Sequence, residues 1–329
     1  MVKHLAANLF TVLFIGLIAL AGAIVVGAQS FSAEGPLEAP TRVTLERGVS
    51  LNKASETLSE AGVIDSGTVF RLGARYKGLD RQIKFGEYEI PAKASMEEVL
   101  DIIVSGRSIE YKITVAEGLT SWEVVELLKA SDLLTGEIDA VPAEGSLAPD
   151  TYFVQKGSTR AALLQRMREE QERILAEAWA ARDSDTPLRS PEEALVLASI
   201  IEKETGVASE RAKVGGVFVN RLNRGMRLQS DPTIIYGITL GQGPLGRGIL
   251  RSEITKPTKY NTYVIDRLPP GPIANPGRDA IMAAVQPEET EFIYFVADGT
   301  GGHAFAKTLR EHERNVAEWR KIERARQNQ

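Results

Sequence analysis

SPEEALVLASIIEKETGVASERAKVGGVFVNRLNRGMRLQSD, residues 190–231, is the stretch on which the reading of this chain turns. Ser190, Pro191 and the acids Glu192 and Glu193 form a helix start: a hydroxyl cap, proline at the first helical position and a capping-box Glu. The helix that follows is apolar on every face from Ala194 to Ile201, which implies burial inside a domain. It then ends on Glu202, Lys203 and Glu204, where the helix dipole disfavours acids. At 3.6 residues per turn, Glu202 shares its face with Leu195, Ala198 and Ser199, and Glu204 shares its face with Leu197, Ile200 and Ile201. Small neighbours leave room for a substrate over Glu202, whereas bulky ones put Glu204 against the core. Spacing therefore leans towards Glu202 but leaves both acids open, since either can pair with Lys203, Arg211 or Lys213.

A second helix is expected from a cap at Ser209 to a stop near Gly225. Gly215 and Gly216 inside it each cost ~1 kcal/mol against Ala, so they imply close helix packing or backbone access. Met226–Tyr236 alternates like a strand before the Asp231–Pro232 turn, which would place Gln229 and Asp231 on one side.

Outward on the N-terminal side, Gly145–Val154 reads as a turn at Pro149–Asp150 followed by an aromatic strand. Ser158 or Thr159 then caps an amphipathic helix to about Arg182, with Leu163, Leu164, Met167, Ile174, Leu175 and Trp179 on its packing stripe. Further out, Val43–Ile64 aligns without gaps to Ile113–Leu134. Thr44, Gly48, Glu56 and Leu58 recur as Thr114, Gly118, Glu126 and Leu128, and each copy reads as strand, glycine turn, Ser50 or Thr120 cap and amphipathic helix. Between the copies, 85–91 reads as a short strand and Ser95 caps a helix carrying Met96, Val99, Leu100 and Ile103. This strand–helix–helix–strand order resembles a LysM-like module, a fold associated with glycan binding; a plain spacer is the alternative.

No charged residue occurs from Leu5 to Ala33. Residues 5–28 would span ~36 Å as a helix, enough for a bilayer core, so a retained anchor is expected, with a cleaved signal peptide as the rival. Lys3 and the amino terminus place residues 1–4 in the cytoplasm and everything after Ser30 outside. Residues 29–41, rich in Gly, Pro and small residues, read as a linker, 42–144 as the LysM-like region and 145–329 as the C-terminal domain. The fold class expected is α+β.

The 329 residues carry 39 basic and 44 acidic side chains for a net charge of −5, well mixed, so no basic face argues for nucleic acid. With no cysteine, disulfides, thiolate catalysis and Cys-zinc sites are excluded. The three histidines are scattered and HExxH is absent, so neither metal nor cofactor is expected. Gly241–Gly246 matches GxGxxG by letter, but Pro244 interrupts it and no long helix pattern follows. No GxSxG occurs, which weakens a serine-hydrolase reading. His303, after the turn Asp298–Gly302, reads as turn support, and the charged tail from Lys307 reads as a covering helix with Leu309, Val316 and Trp319 inward.

Several of these segments, in order, resemble the endolytic murein transglycosylases of the MltG, YceG-like family: LASIIEKET (197–205), ASER (208–211), VFVNRL (217–222), GMRLQSDPTIIYG (225–237), YNTY (260–263), LPPGPI (268–273), NPG (275–277) and YFVADGTGGHAF (294–305). At Gly145–Tyr152 the chain reads GSLAPDTY, where the family has a segment with a Glu and more aromatics. The resemblance implies a membrane-anchored YceG-like catalytic domain that cuts MurNAc–GlcNAc bonds within peptidoglycan glycan strands, leaves 1,6-anhydro ends and contacts peptidoglycan synthases. It assigns the catalytic acid to the first Glu of GluLysGlu, Glu202, whose proton the apolar helix would retain by desolvation. Asn220, Gln229, Asp231, Tyr260, Asn261 and Tyr263 are the polar candidates for substrate binding. A non-catalytic glycan-binding scaffold and a hydrolytic muramidase are the alternatives.

Overall fold

The computed structural model describes residues 2–327 and is mixed α+β. The chain divides into two compact units: 1–112 with 153–158, and 113–152 with 159–329.

The first unit opens with α1 (Val2–Ser32). Its segment Phe10–Ser32 is the one helix among the described residues long and apolar enough to cross a membrane. Phe10, Phe14, Leu17, Leu20 and Ile24 on it are exposed, as suits a helix with lipid rather than protein around it. The helix runs past residue 28 into the expected linker, which is not slack: Phe31 and Leu37 are buried with the core, Gly35 N–H donates to Lys93 O and Lys93 N–H donates to Leu37 O. A side chain at Gly73 would meet the Phe31 ring at 2.4 Å, so glycine lets α1 dock.

Then come β1 (Thr41–Leu45), α2 (Leu51–Glu60), α3 (Gly67–Tyr76), β2 (Gly86–Ile90) and α4 (Met96–Ser105), with β1 antiparallel to β2. Ser50 and Ser95 cap α2 and α4, and Ser95 with Glu98 closes a full capping box. Val43, Leu45, Leu58, Phe70, Tyr88, Ile90, Val99, Leu100 and Ile103 fill this core. The division between units falls inside β3 (Glu110–Thr114) and, later, β5 (Thr151–Gln155), which pair with each other.

The second aligned segment contributes α5 (Ser121–Lys129), capped by Thr120, to the second unit. The contacts thus group 113–144 with the later chain, not with 42–112. Gly48 and Gly118 both adopt left-handed φ, 76° and 77°, where a side chain would be strained.

After α5, β4 (Leu134–Thr135) pairs with β6 (Ser158–Thr159), with β5 (Thr151–Gln155) between them in sequence. α6 (Arg160–Ala180), capped by Thr159, α7 (Pro191–Glu204), α8 (Arg211–Asn223), α9 (Asp231–Thr239), α10 (Arg251–Ile254) and α11 (Arg278–Val285) follow. The hairpin β7 (Tyr294–Ala297) and β8 (His303–Ala306) and the helix α12 (Leu309–Gln327) end the described chain. Leu309, expected inward, is exposed.

The core of this unit is α7 with α6, α8 and α11 around it; Leu197, Ala198, Ile200 and Ile201 of α7 are fully buried among Val214, Phe218, Ile281 and Ala284. A Cβ on Gly215 would stand 2.3 Å from Ala283 O and one on Gly216 2.4 Å from Glu288 O, so both glycines serve close backbone approach. Two local expectations are corrected. A 3-10 turn at Ala208–Glu210 precedes α8, so Ser209 is not its cap. Met226–Tyr236 is not a strand: Met226–Ser230 is irregular and α9 starts at Asp231 with Pro232 in its first turn, where proline's missing N–H costs nothing.

Candidate active site

The two acids that close α7 point to different neighbourhoods, as residues two apart on a helix must. The Glu202 side chain is only 5% exposed, and both its oxygens are engaged. Oε2 accepts from the Gly277 N–H at 2.9 Å, and Oε1 accepts from Arg211 Nη2 at 3.3 Å. Arg211, itself buried, also reaches Glu117 at 3.1 Å and Asp279 at 3.4 Å, and Lys203 Nζ donates to Gly118 O. Burial raises the Glu202 carboxyl, and the Glu117 charge adds to this; the Gly277 N–H and Arg211 oppose it. Both oxygens thus accept from a donor, although burial still leaves the carboxyl raised overall. The room expected over Ala198 and Ser199 is taken: Ala198 is fully buried, and Ser199 Oγ accepts from Ile273 N–H at 3.0 Å while donating to Val196 O.

Glu204, expected against the core, instead faces polar groups. Burial pushes its carboxyl up to about 7; the Asp231 charge adds to this, while the Ser230 hydroxyl, His303 and Arg221 pull it down. The last turn of α7, the start of α9 and the start of β8 thus converge on one half-buried carboxyl.

The sequence YNTY at 260–263 builds the wall beside it. Asn261, 1% exposed, donates to the carbonyls of Glu253, Ile254 and Lys256 and accepts from Tyr263 N–H, which fixes the loop. Thr262 Oγ1 accepts from Ser230 N–H at 2.9 Å, and Tyr263 Oη donates to Asp231 Oδ1 at 2.7 Å. Burial raises Tyr263 far above its ordinary value, so the phenol remains a donor. Gln229, exposed, sits at φ +50°, a conformation that costs a non-glycine residue ~1 kcal/mol and that its N–H bond to Thr262 O helps hold. Arg221 braces the same segment from below through Leu228 O at 2.6 Å and Ile293 O at 2.7 Å.

The seven candidates therefore separate. Glu204's surroundings collect Asp231 and Tyr263, with Gln229 two residues before Asp231 on the same braced segment. Asn220 donates its amide N–H groups to the carbonyls of Thr290 and Phe292, and Asn261 to those of its own loop, so these donors are engaged within the fold. Tyr260 belongs to another group: its ring lies 4.7 Å from Tyr236, whose hydroxyl donates to Glu144 at 3.2 Å. Glu144 also accepts from Ser121 N–H at 2.8 Å, and burial raises its carboxyl. The acid noted as missing from Gly145–Tyr152 is Glu144, one residue upstream; reading the segment from Gly145 hid it. Ser230 and Thr262 carried no expectation, although each lies in a quoted motif, whereas Arg211 pairs with Glu202 as the spacing allowed.

No group of three or more His, Asp or Glu is arranged as a metal site among the described residues. Gly241–Gly246 is a turn with three left-handed glycines, preceded by α9 and followed by a four-residue helix, unlike a dinucleotide-binding crossover.

A buried helix ending in paired acids, framed by the motifs at 225–237, 260–263 and 294–305, defines the class: the YceG-like family model matches residues 43–318, and the chain belongs to that family. Among its relatives, the endolytic murein transglycosylase of Streptococcus pneumoniae serotype 2 (strain D39 / NCTC 7466) is 28% identical over 84% of this chain. The chain spans 58% of that relative's length, under two thirds. The endolytic murein transglycosylase of Bacillus subtilis (strain 168) is 27% identical, with 85% of this chain and 86% of the relative covered. The crystal structure of a yceG-like protein from Listeria monocytogenes is similar at TM-score 0.53 and 26% identity, covering 84% of this chain and 98% of that one.

Proposed function

We propose that the chain is an endolytic peptidoglycan lytic transglycosylase in which Glu204 is the single acid and base. The observation that carries this is the contrast within one helical turn: Glu202 has both oxygens tied to donors, while Glu204 is pushed up to about 7. In the reaction, the Glu204 proton passes to the bridging oxygen as the MurNAc C1–O bond breaks, and that oxygen keeps the bonding pair. The oxocarbenium-like centre is then attacked by the sugar's own 6-hydroxyl, whose proton returns to Glu204. No water is consumed, so the strand ends in a 1,6-anhydro sugar and one carboxyl suffices. A value near 7 lets the group act in both senses at neutral pH. Tyr263 and Asp231 shape the wall, and Glu202 with Arg211 fixes the turn that carries Glu204.

A second reading, with Glu202 as the acid, draws on the family resemblance and on the burial that raises its carboxyl too. Mass spectrometry of glycan strands incubated with Glu204→Gln and Glu202→Gln proteins separates the two. Loss of anhydro ends in the first, with retention in the second, is expected; the reverse pattern installs Glu202. Reducing ends would indicate a muramidase, and an inert wild type a scaffold.

The same proposal places α1 across the bacterial cytoplasmic membrane in a single pass, with residues 1–4 inside and the catalytic unit outside, where it limits the length of nascent strands beside peptidoglycan synthases. Glycan binding by the LysM-like region, residues 42–144, belongs to it as well.

A further inference from the structure

We infer that the outer face of α3, formed by Leu72 and Tyr76, is a membrane-contact surface: with α1 in a bilayer, these two side chains enter the headgroup layer beside the point where α1 leaves it. This rests on the reading of α1 as a single-pass anchor given above.

The face is what the core leaves over. α3 turns Phe70 and Ala74 inward, where both are fully buried, and presents Gly73 to the Phe31 ring of α1. At ~100° per residue, Leu72 and Tyr76 lie one turn apart on the side opposite Phe70, bordering the Gly73 side. Leu72 is 60% exposed and Tyr76 94%, so Tyr76 is more open than Phe10, at 72%, on the apolar helix itself. Neither packs against the core of the first unit.

Helix length says what covers them. Residues 5–28 reach ~36 Å, enough for a hydrocarbon core of ~30 Å, and the headgroup layer adds about 5–7 Å on each side. Phe31 comes ~4.5 Å further along the helix than residue 28, which is inside that layer. Phe31 packs directly on Gly73, and the Lys77 ammonium stands 5.9 Å from its ring, so α3 comes to the same depth. Leu72 adjoins Gly73 and Tyr76 adjoins Lys77 in sequence. A tyrosine, with an apolar ring and a hydroxyl that stays wet, suits this layer, and a leucine one turn away reaches the acyl boundary.

The nearby charges fit the same partner. Lys77 pairs with Glu97 at 2.6 Å, and Lys93 pairs with Glu34 at 3.1 Å. Arg75 and Arg81 are exposed and form no ion pair among the described residues, and Asp80 is half-buried. Two open guanidinium groups beside an apolar face match anionic headgroups. A second copy docked through the same face would bring like charges together.

The chain has no cysteine, so a single substitution takes a thiol-reactive fluorophore at one place. Full-length Leu72→Cys and Tyr76→Cys proteins are labelled and reconstituted in vesicles of phosphatidylethanolamine and phosphatidylglycerol, with ordinary acyl chains or with chains brominated near the headgroup. Both positions are exposed, so the label leaves the core intact. Ile18→Cys, on α1, reports on the span itself, with bromine placed at mid-chain. Brominated lipid is expected to lower emission by about 2-fold or more at both α3 positions, and adding Tyr76→Ser to Leu72→Cys is expected to remove about half of that quenching. Quenching at Ile18→Cys without quenching at both α3 positions overturns this inference alone; iodide then tells whether the face lies in water or under another protein copy. An unquenched Ile18→Cys overturns the reading of α1 and the inference with it.

Discussion

Replacing Arg211 by Met tests how the last turn of α7 is held. The Arg211 side chain is 10% exposed and that of Glu202 5%, so their pair is shielded, whereas Glu117 at 44% and Asp279 at 73% are wet and contribute little. Removing the guanidinium leaves the Glu202 carboxylate buried with one N–H for company, a change that costs about 3 kcal/mol. For a unit of ~200 residues that lowers Tm by about 6–12 °C. The loss should depend on pH. A carboxyl raised in the fold stabilises the fold while protonated, and that contribution vanishes as pH rises through the folded value; without Arg211 the folded value rises further. The deficit is therefore largest at pH ~8 and shrinks towards pH ~5. Thermal melts of the full chain in detergent at both pH values, followed by circular dichroism, read it directly. In Arg211→Met/Glu202→Gln, the neutral amide still accepts from Gly277, so most of the loss should return. A single variant within ~2 °C of wild type at pH ~8, or a double variant as weak as the single, refutes the account of Arg211 as the partner that holds the buried Glu202 carboxyl.

Two further outcomes follow from neighbouring contacts. Asp231→Asn removes a charge that raises Glu204, so with Glu204 as the proposed acid the alkaline limb of the rate profile should move to lower pH; a limb that stays put would show that Asp231 does not act on Glu204. Gly215→Ala places a methyl 2.3 Å from Ala283 O, a backbone atom that cannot turn aside, and should cost about 1–3 kcal/mol in denaturant midpoint analysis, where an unchanged midpoint would deny the close α8–α11 approach.

Much of the scaffold was legible. The Ser190 cap, Pro191 and the apolar run to Ile201 fixed α7 because those signals are local, and the Gly215–Gly216 pair announced close packing because glycine has few other uses in a helix. The start of α9 was misread for a local reason as well: Met226–Ser230 alternates, and Asp231–Pro232 fits a turn as readily as a first helical turn. What decided it was Thr262, some thirty residues on, accepting from Ser230 N–H. The choice between Glu202 and Glu204 is a different kind of question. Helical spacing says which residues share a face, not what will be packed over it. The face judged open is covered by Ile273 and Gly277, and the face judged closed meets α9 and β8. Glu144 needed only a reading frame one residue longer.

The seating of Phe31 against Gly73 has a mechanical consequence. If α1 lies in a bilayer, the first unit is bolted to it with no free joint, because the bonds between Gly35, Leu37 and Lys93 take up the chain that a tether would need. Tilt of the membrane helix then becomes tilt of the first unit, and bilayer thickness becomes a quantity this unit can feel. Lengthening the chain at Gly35 would cut that linkage and cost burial of Phe31, whereas an added turn within α1 would lift the unit intact.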